Sequence, residues 1–78
     1  MDNLMSPSVR WAVAEVMERE EITPRELKVK ANITYNQALA LRRGVYERID
    51  LNTLARVCVA LNTTPGDLLV LVPDNSPI

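Results

Sequence analysis

The sequence predicts an all-α domain of five helices, and three observations carry that expectation. Apolar residues recur at the three- and four-residue spacing of a helix instead of alternating as they would along a strand. Ser6-Pro7, Thr23-Pro24 and Thr64-Pro65 each pair an N-cap residue with a proline at the first helical position, where the missing N–H costs nothing. The apolar 47% of the chain has no phenylalanine and is mainly Leu, Val and Ala, a set that packs short helices closely.

Taken in order, the first helix is expected from about residue 7 to Glu20, opened by Ser6-Pro7. Val9, Ala12, Val13, Val16 and Met17 form its buried stripe, and Trp11 lies off the stripe's centre, at the edge of the core or a subunit contact. Thr23-Pro24-Arg25-Glu26 starts the second, with Thr23 as N-cap and Glu26 placed to close a capping box. This helix reaches about Ala31 and buries Leu27 and Ala31. Asn32 then tolerates the left-handed backbone of a tight turn. Thr34 caps a third helix that turns Ala38 and Leu41 inward and stops at Gly44. Asp50 or its neighbour opens a fourth, with Leu51, Leu54, Ala55, Val57, Cys58 and Leu61 as its apolar face. Cys58 is read there as a small hydrophobe. A short fifth helix runs from Pro65 to about Leu69, before Leu69-Val-Leu-Val72 and a polar, proline-containing tail.

Composition narrows the chemistry. Seventy-eight residues hold one domain, near the lower size at which a single core suffices. Cys58 is alone, so an intramolecular disulfide or a thiolate zinc cluster is excluded, in keeping with a reducing cytoplasm. There is no histidine, hence no Ser-His or Cys-His pair, and no glycine-rich phosphate loop. An enzyme is not expected, and neither a cofactor nor a metal site is. No apolar run approaches the roughly 18 residues of a membrane span, and the N-terminal MDNLMSPS lacks the basic start and apolar centre of a signal peptide. A soluble, cytoplasmic chain with no membrane partner is the expectation.

The net charge of −1 conceals a segregation. Residues 23–48 carry Arg25, Lys28, Lys30, Arg42, Arg43 and Arg48 against Glu26 and Glu47, for +4. Residues 1–22 sum to −3 and residues 49–78 to −2. A polyanion responds to the local field of one face, so the basic middle is the segment to relate to nucleic acid. Two short helices joined by a tight turn, the second with Tyr35, Asn36 and Gln37 in its first turn, have the form of a helix-turn-helix. The major groove admits one helix, and an amide placed there pairs in bidentate fashion with adenine N6 and N7. Asn36 and Gln37 are therefore candidate base readers. Tyr35 can offer its hydroxyl to phosphate or base, or its ring to a thymine methyl, and Thr34 lies near the backbone. Helix N-termini favour phosphate, and Arg42, Arg43 and Arg48, with Lys28, are candidate phosphate contacts.

The chain resembles the Cro/CI-type, or XRE-type, helix-turn-helix domains of bacterial and phage repressors. The resemblance covers about residues 9–74 and rests on Ile22-Thr23…Leu27, Ala31, Ile33-Thr34 and Arg43-Gly44. Its more specific part is Leu51-x-x-Leu-x-x-Val-Cys-x-Ala-Leu-Asn-x-x-Pro-Gly-Asp-Leu-Leu69, followed by Val72-Pro-Asp. It implies a lambda-repressor-like domain of five helices, with helix-turn-helix at the second and third, in a small stand-alone transcriptional regulator. Thr34, Tyr35, Asn36, Gln37 and Ala40 would face the groove, and Thr23 to Arg25, with the basic residues near Gly44, would touch phosphate. Three positions depart from the family pattern: Lys28 replaces a small residue, Asn32 the turn glycine, and Pro24 the glutamine common at the start of the second helix.

Residues 1–78 are thus expected to form one helix-turn-helix domain, with its core at about 7–72 and flexible ends at 1–6 and 73–78. Specific binding to double-stranded DNA commonly joins two half-sites through a symmetric dimer. Leu68, Leu69, Val70, Leu71 and Val72, with Trp11 or Met5 nearby, are the candidate homodimer interface. The leading expectation is a sequence-specific transcriptional regulator, a repressor acting by occupancy. The alternative is an antitoxin or anti-regulator working mainly through a protein partner, a toxin or polymerase.

Overall fold

A computed structural model describes residues 8–73. Their order is β1 (Ser8–Trp11), α1 (Val13–Glu20), α2 (Pro24–Ala31), α3 (Tyr35–Arg43), α4 (Leu51–Ala60), α5 (Pro65–Leu68) and β2 (Leu69–Val72). The five expected helices are present, but the domain is not purely helical. β1 and β2 form an antiparallel ribbon that pairs Ser8 with Val72, Val9 with Leu71, Arg10 with Val70 and Trp11 with Leu69.

The ribbon corrects the expected first helix, which begins at Val13 and not near residue 7. The Ser6-Pro7 start lies outside the described residues, as do Met5 and the ends 1–6 and 74–78. Leu-Val-Leu-Val at 69–72 consists of strand-favouring residues with an unfilled edge, and Val9 and Trp11 offer bulky side chains that suit a pleated partner. That pairing outweighs the helical spacing Val9 shares with α1, and Val9 is 60% exposed instead of joining the buried stripe. Ala12 continues the ladder by donating its N–H to the Leu68 carbonyl at 2.7 Å.

Val13, Val16 and Met17 of α1, Leu27 and Ala31 of α2, Ala38 and Leu41 of α3, and Leu54, Val57 and Cys58 of α4 meet in one core with Ile33, Leu61 and Leu68. Cys58 is buried, and that burial pushes its thiol pKa up, in keeping with a small hydrophobe in the core. Three expectations fail against this core. Ala55, expected on the apolar face of the fourth helix, is exposed. Leu51, placed on the apolar face of the fourth helix, is 81% exposed, because as the first residue of α4 it projects beyond the neighbouring helices. Leu68, assigned to a dimer interface, is fully buried, since α5 turns it inward before the chain straightens into β2. Leu69, Val70 and Val72 are half-buried, and Leu71 is 67% exposed.

The helix-turn-helix is fastened to this body from α4. Asp50 caps that helix, accepting from the Thr53 N–H at 3.2 Å and the Thr53 hydroxyl at 2.6 Å. These bonds, the side-chain one foremost, hold the Asp50 carboxyl below its ordinary pKa. One turn on, Arg56 Nε donates to the Ala31 carbonyl at 2.9 Å, satisfying a main-chain acceptor at the end of α2.

Candidate nucleic-acid interface

Two reciprocal capping boxes build the site. The Thr23 hydroxyl accepts from the Glu26 N–H at 3.2 Å while a Glu26 carboxylate oxygen accepts from the Thr23 N–H at 2.8 Å. Hydrogen bonds from Thr23, its backbone N–H first, hold the Glu26 carboxyl below its usual pKa. At α3 the Thr34 hydroxyl accepts from the Gln37 N–H at 3.0 Å, and Gln37 Oε1 accepts from the Thr34 N–H at 2.9 Å. Between the boxes Asn32 adopts φ 56°, ψ 53°, the left-handed conformation expected of it, and α3 ends at Gly44 with φ 76°. Ile33 is buried in the turn, which sets where α3 emerges from the body.

A helix turns about 100° per residue, so the side of α3 opposite the fully buried Ala38 and Leu41 carries Asn36, Ala40 and Arg43 in one row, with Leu39 beside it. Asn36 and Arg43 are exposed; Leu39 and Ala40 are half-buried. Tyr35 flanks the row on one side. There the Arg25 guanidinium lies 5.3 Å from its ring centroid, a cation–π contact that ties the start of α2 to the start of α3. Gln37 flanks the other side and is half-buried. Its Nε2 donates to the Tyr46 hydroxyl at 3.2 Å. Thr34 is exposed at the cap.

The cationic residues are less uniformly placed. Arg42 borders a groove with Thr23 and Pro24, shared with Glu18 and Glu21 of the acidic side. Arg48 borders another groove, formed by Gly44, residues 46–50 and the ribbon. Lys28 is exposed, so its stem reaches solvent without parting α2 from α3. Among the described residues the ion pairs are Arg10–Glu15 and Arg19–Glu20, and none involves Arg25, Lys28, Arg42, Arg43 or Arg48.

Sequence reasoning passed over Tyr46 and Leu39. A tyrosine two residues beyond the glycine stop of α3 carried no signal of contact with the first turn, and Leu39 was given no role. Tyr46 is anchored by Trp11, whose indole N–H donates to the Tyr46 carbonyl at 2.6 Å, with the rings edge to face at 6.4 Å.

Two short helices joined through a left-handed residue, the second presenting an outward polar row, define a helix-turn-helix. The chain belongs to the family described as the Cro/C1-type HTH DNA-binding domain, whose model matches residues 13–74. It is accordingly a DNA-binding regulator acting on double-stranded DNA, from a regulatory family. No curated protein and no solved structure matches the chain. No helix among the described residues is long and apolar enough to cross a membrane, and no metal-ligating cluster occurs among them.

Proposed function

We propose that the protein is a sequence-specific transcriptional repressor of the cytoplasm that binds operator DNA as a homodimer, with α3 in the major groove. The outward row of Asn36, Ala40 and Arg43 on a helix whose opposite face is fully buried carries this reading. Asn36 can make the paired donor–acceptor contact that adenine offers in the major groove. Ala40 leaves room for a base edge or a thymine methyl. Thr34, Tyr35 and Gln37 border the same groove. Thr23, Arg25, Lys28, Arg42, Arg43 and Arg48 neutralise phosphates and set register without reading sequence. Pairing of two copies through the ribbon, at Leu69, Val70, Leu71 and Val72, would present two α3 helices to half-sites about 34 Å apart. Occupancy of such a site by the dimer excludes polymerase.

Selection of bound fragments from random duplex DNA, followed by titration of the winner across salt, tests the reading. The expected result is a two-fold symmetric site whose log affinity falls linearly with log salt, at about 0.9 per phosphate neutralised. Recovery of no preferred sequence, or an affinity insensitive to salt, would exclude sequence-specific recognition by α3.

A further inference from the structure

We propose that Tyr46, in the loop after α3, is a positioning residue for base recognition, fixing the Gln37 amide so that it presents an N–H toward DNA. The inference rests on α3 reading the major groove. A backbone N–H can only donate, so the Gln37 atom facing Thr34 N at 2.9 Å is Oε1, and the amide has one orientation. Nε2 is thereby turned to the Tyr46 hydroxyl at 3.2 Å, which accepts. Both ends of the amide are held, one by the backbone of its own cap and the other by a side chain nine residues along the chain.

Tyr46 is itself held. Trp11 of the ribbon donates to its carbonyl at 2.6 Å and packs against its ring, so the phenol has a fixed place from which to hold Gln37. What remains of the Gln37 amide is chiefly its second N–H, a donor. That donor suits the N7 and O6 acceptors of guanine, in contrast to the donor–acceptor pair by which a free glutamine selects adenine. Tyr46 therefore contributes to specificity by constraining Gln37.

The test uses the full chain and Tyr46→Phe, which keeps the ring against Trp11 and the main-chain carbonyl while removing only the hydroxyl. Random-duplex selection is run on wild type, Tyr46→Phe and Gln37→Ala. At the base pair where Gln37→Ala loses preference, Tyr46→Phe should lower discrimination about tenfold, within the range of one base-edge contact. Preferences elsewhere should be kept, and affinity for a scrambled duplex should stay within about twofold, because phosphate contacts supply non-specific binding. Retention by Tyr46→Phe of full preference at that base pair would overturn the proposal, as would a Gln37→Ala variant that alters no position. A second arm needs no DNA: relaxation of the Gln37 side-chain NH2, measured by NMR, should show the amide freed in Tyr46→Phe. Unchanged relaxation overturns the proposal, even if wild type selects no sequence and the α3 reading itself falls.

Discussion

The helix-turn-helix and the β-ribbon are both made of short elements, yet they are held by different means. α2 and α3 carry their own closures: each begins with a box in which two residues three apart satisfy each other's backbone, and each ends in a left-handed residue. β1 and β2 have no such closure. Each finds its backbone ladder partner in the other, about sixty positions away along the chain, and their joint anchor is Leu68, fully buried at the foot of β2. One region is specified locally and the other by the finished fold. The helix-turn-helix is the locally specified one, and it is tied to the ribbon through Trp11, Tyr46 and Gln37.

The comparison breaks hardest at Leu68. Leu68→Ala should cost about 3 kcal/mol in urea unfolding, as a large-to-small change in a packed core does; a loss below about 1 kcal/mol would show that this leucine anchors nothing. Thr34→Ala should cost about 1 kcal/mol, the worth of one N-cap, with Thr34→Ser recovering most of it. An unchanged unfolding midpoint in Thr34→Ala would deny the local closure its role. Acidification gives a smaller effect. The folded state depresses the Glu26 and Asp50 carboxyl pKa values, so each group stabilises above the ordinary carboxylate range and ceases to do so as the pH falls through its folded value. A stability profile from pH 7 downward, on wild type and Glu26→Gln, should differ least at the acid end. Leu71→Ser should change monomer stability by less than about 0.5 kcal/mol, since the side chain is exposed, yet lower the sedimentation coefficient at high concentration by dissociating the proposed dimer. A Leu71→Ser protein that sediments like wild type would move the dimer interface away from the ribbon.

The same division governs what could be read from the chain. Thr23-Pro24-x-Glu26, Asn32, Thr34 and Gly44 act on neighbours within four residues, and each marks its boundary where the structure has it. The ribbon was invisible for the opposite reason. Val9 sits at helical spacing from Val13 and Val16, and nothing near it in sequence announces a partner at Leu71. Glu21 ends α1 in a left-handed conformation that glutamate seldom adopts, and the helix stops at Glu20 as expected. In the site, the exposure of Asn36 and Arg43 followed from the helical period, but the position of Gln37 did not, because the hydroxyl that holds it belongs to a loop whose path the core decides.

The ribbon also determines how the domain would yield to force. Ser8 and Val72 face each other at its open end, so tension applied through the two termini draws adjacent residues directly apart. The four cross-strand pairs then part in succession, like teeth of a zip, and little load reaches the helices before the last pair, Trp11 and Leu69, has opened. A polypeptide closed in this way yields first at its ribbon while α3 stays shielded behind it.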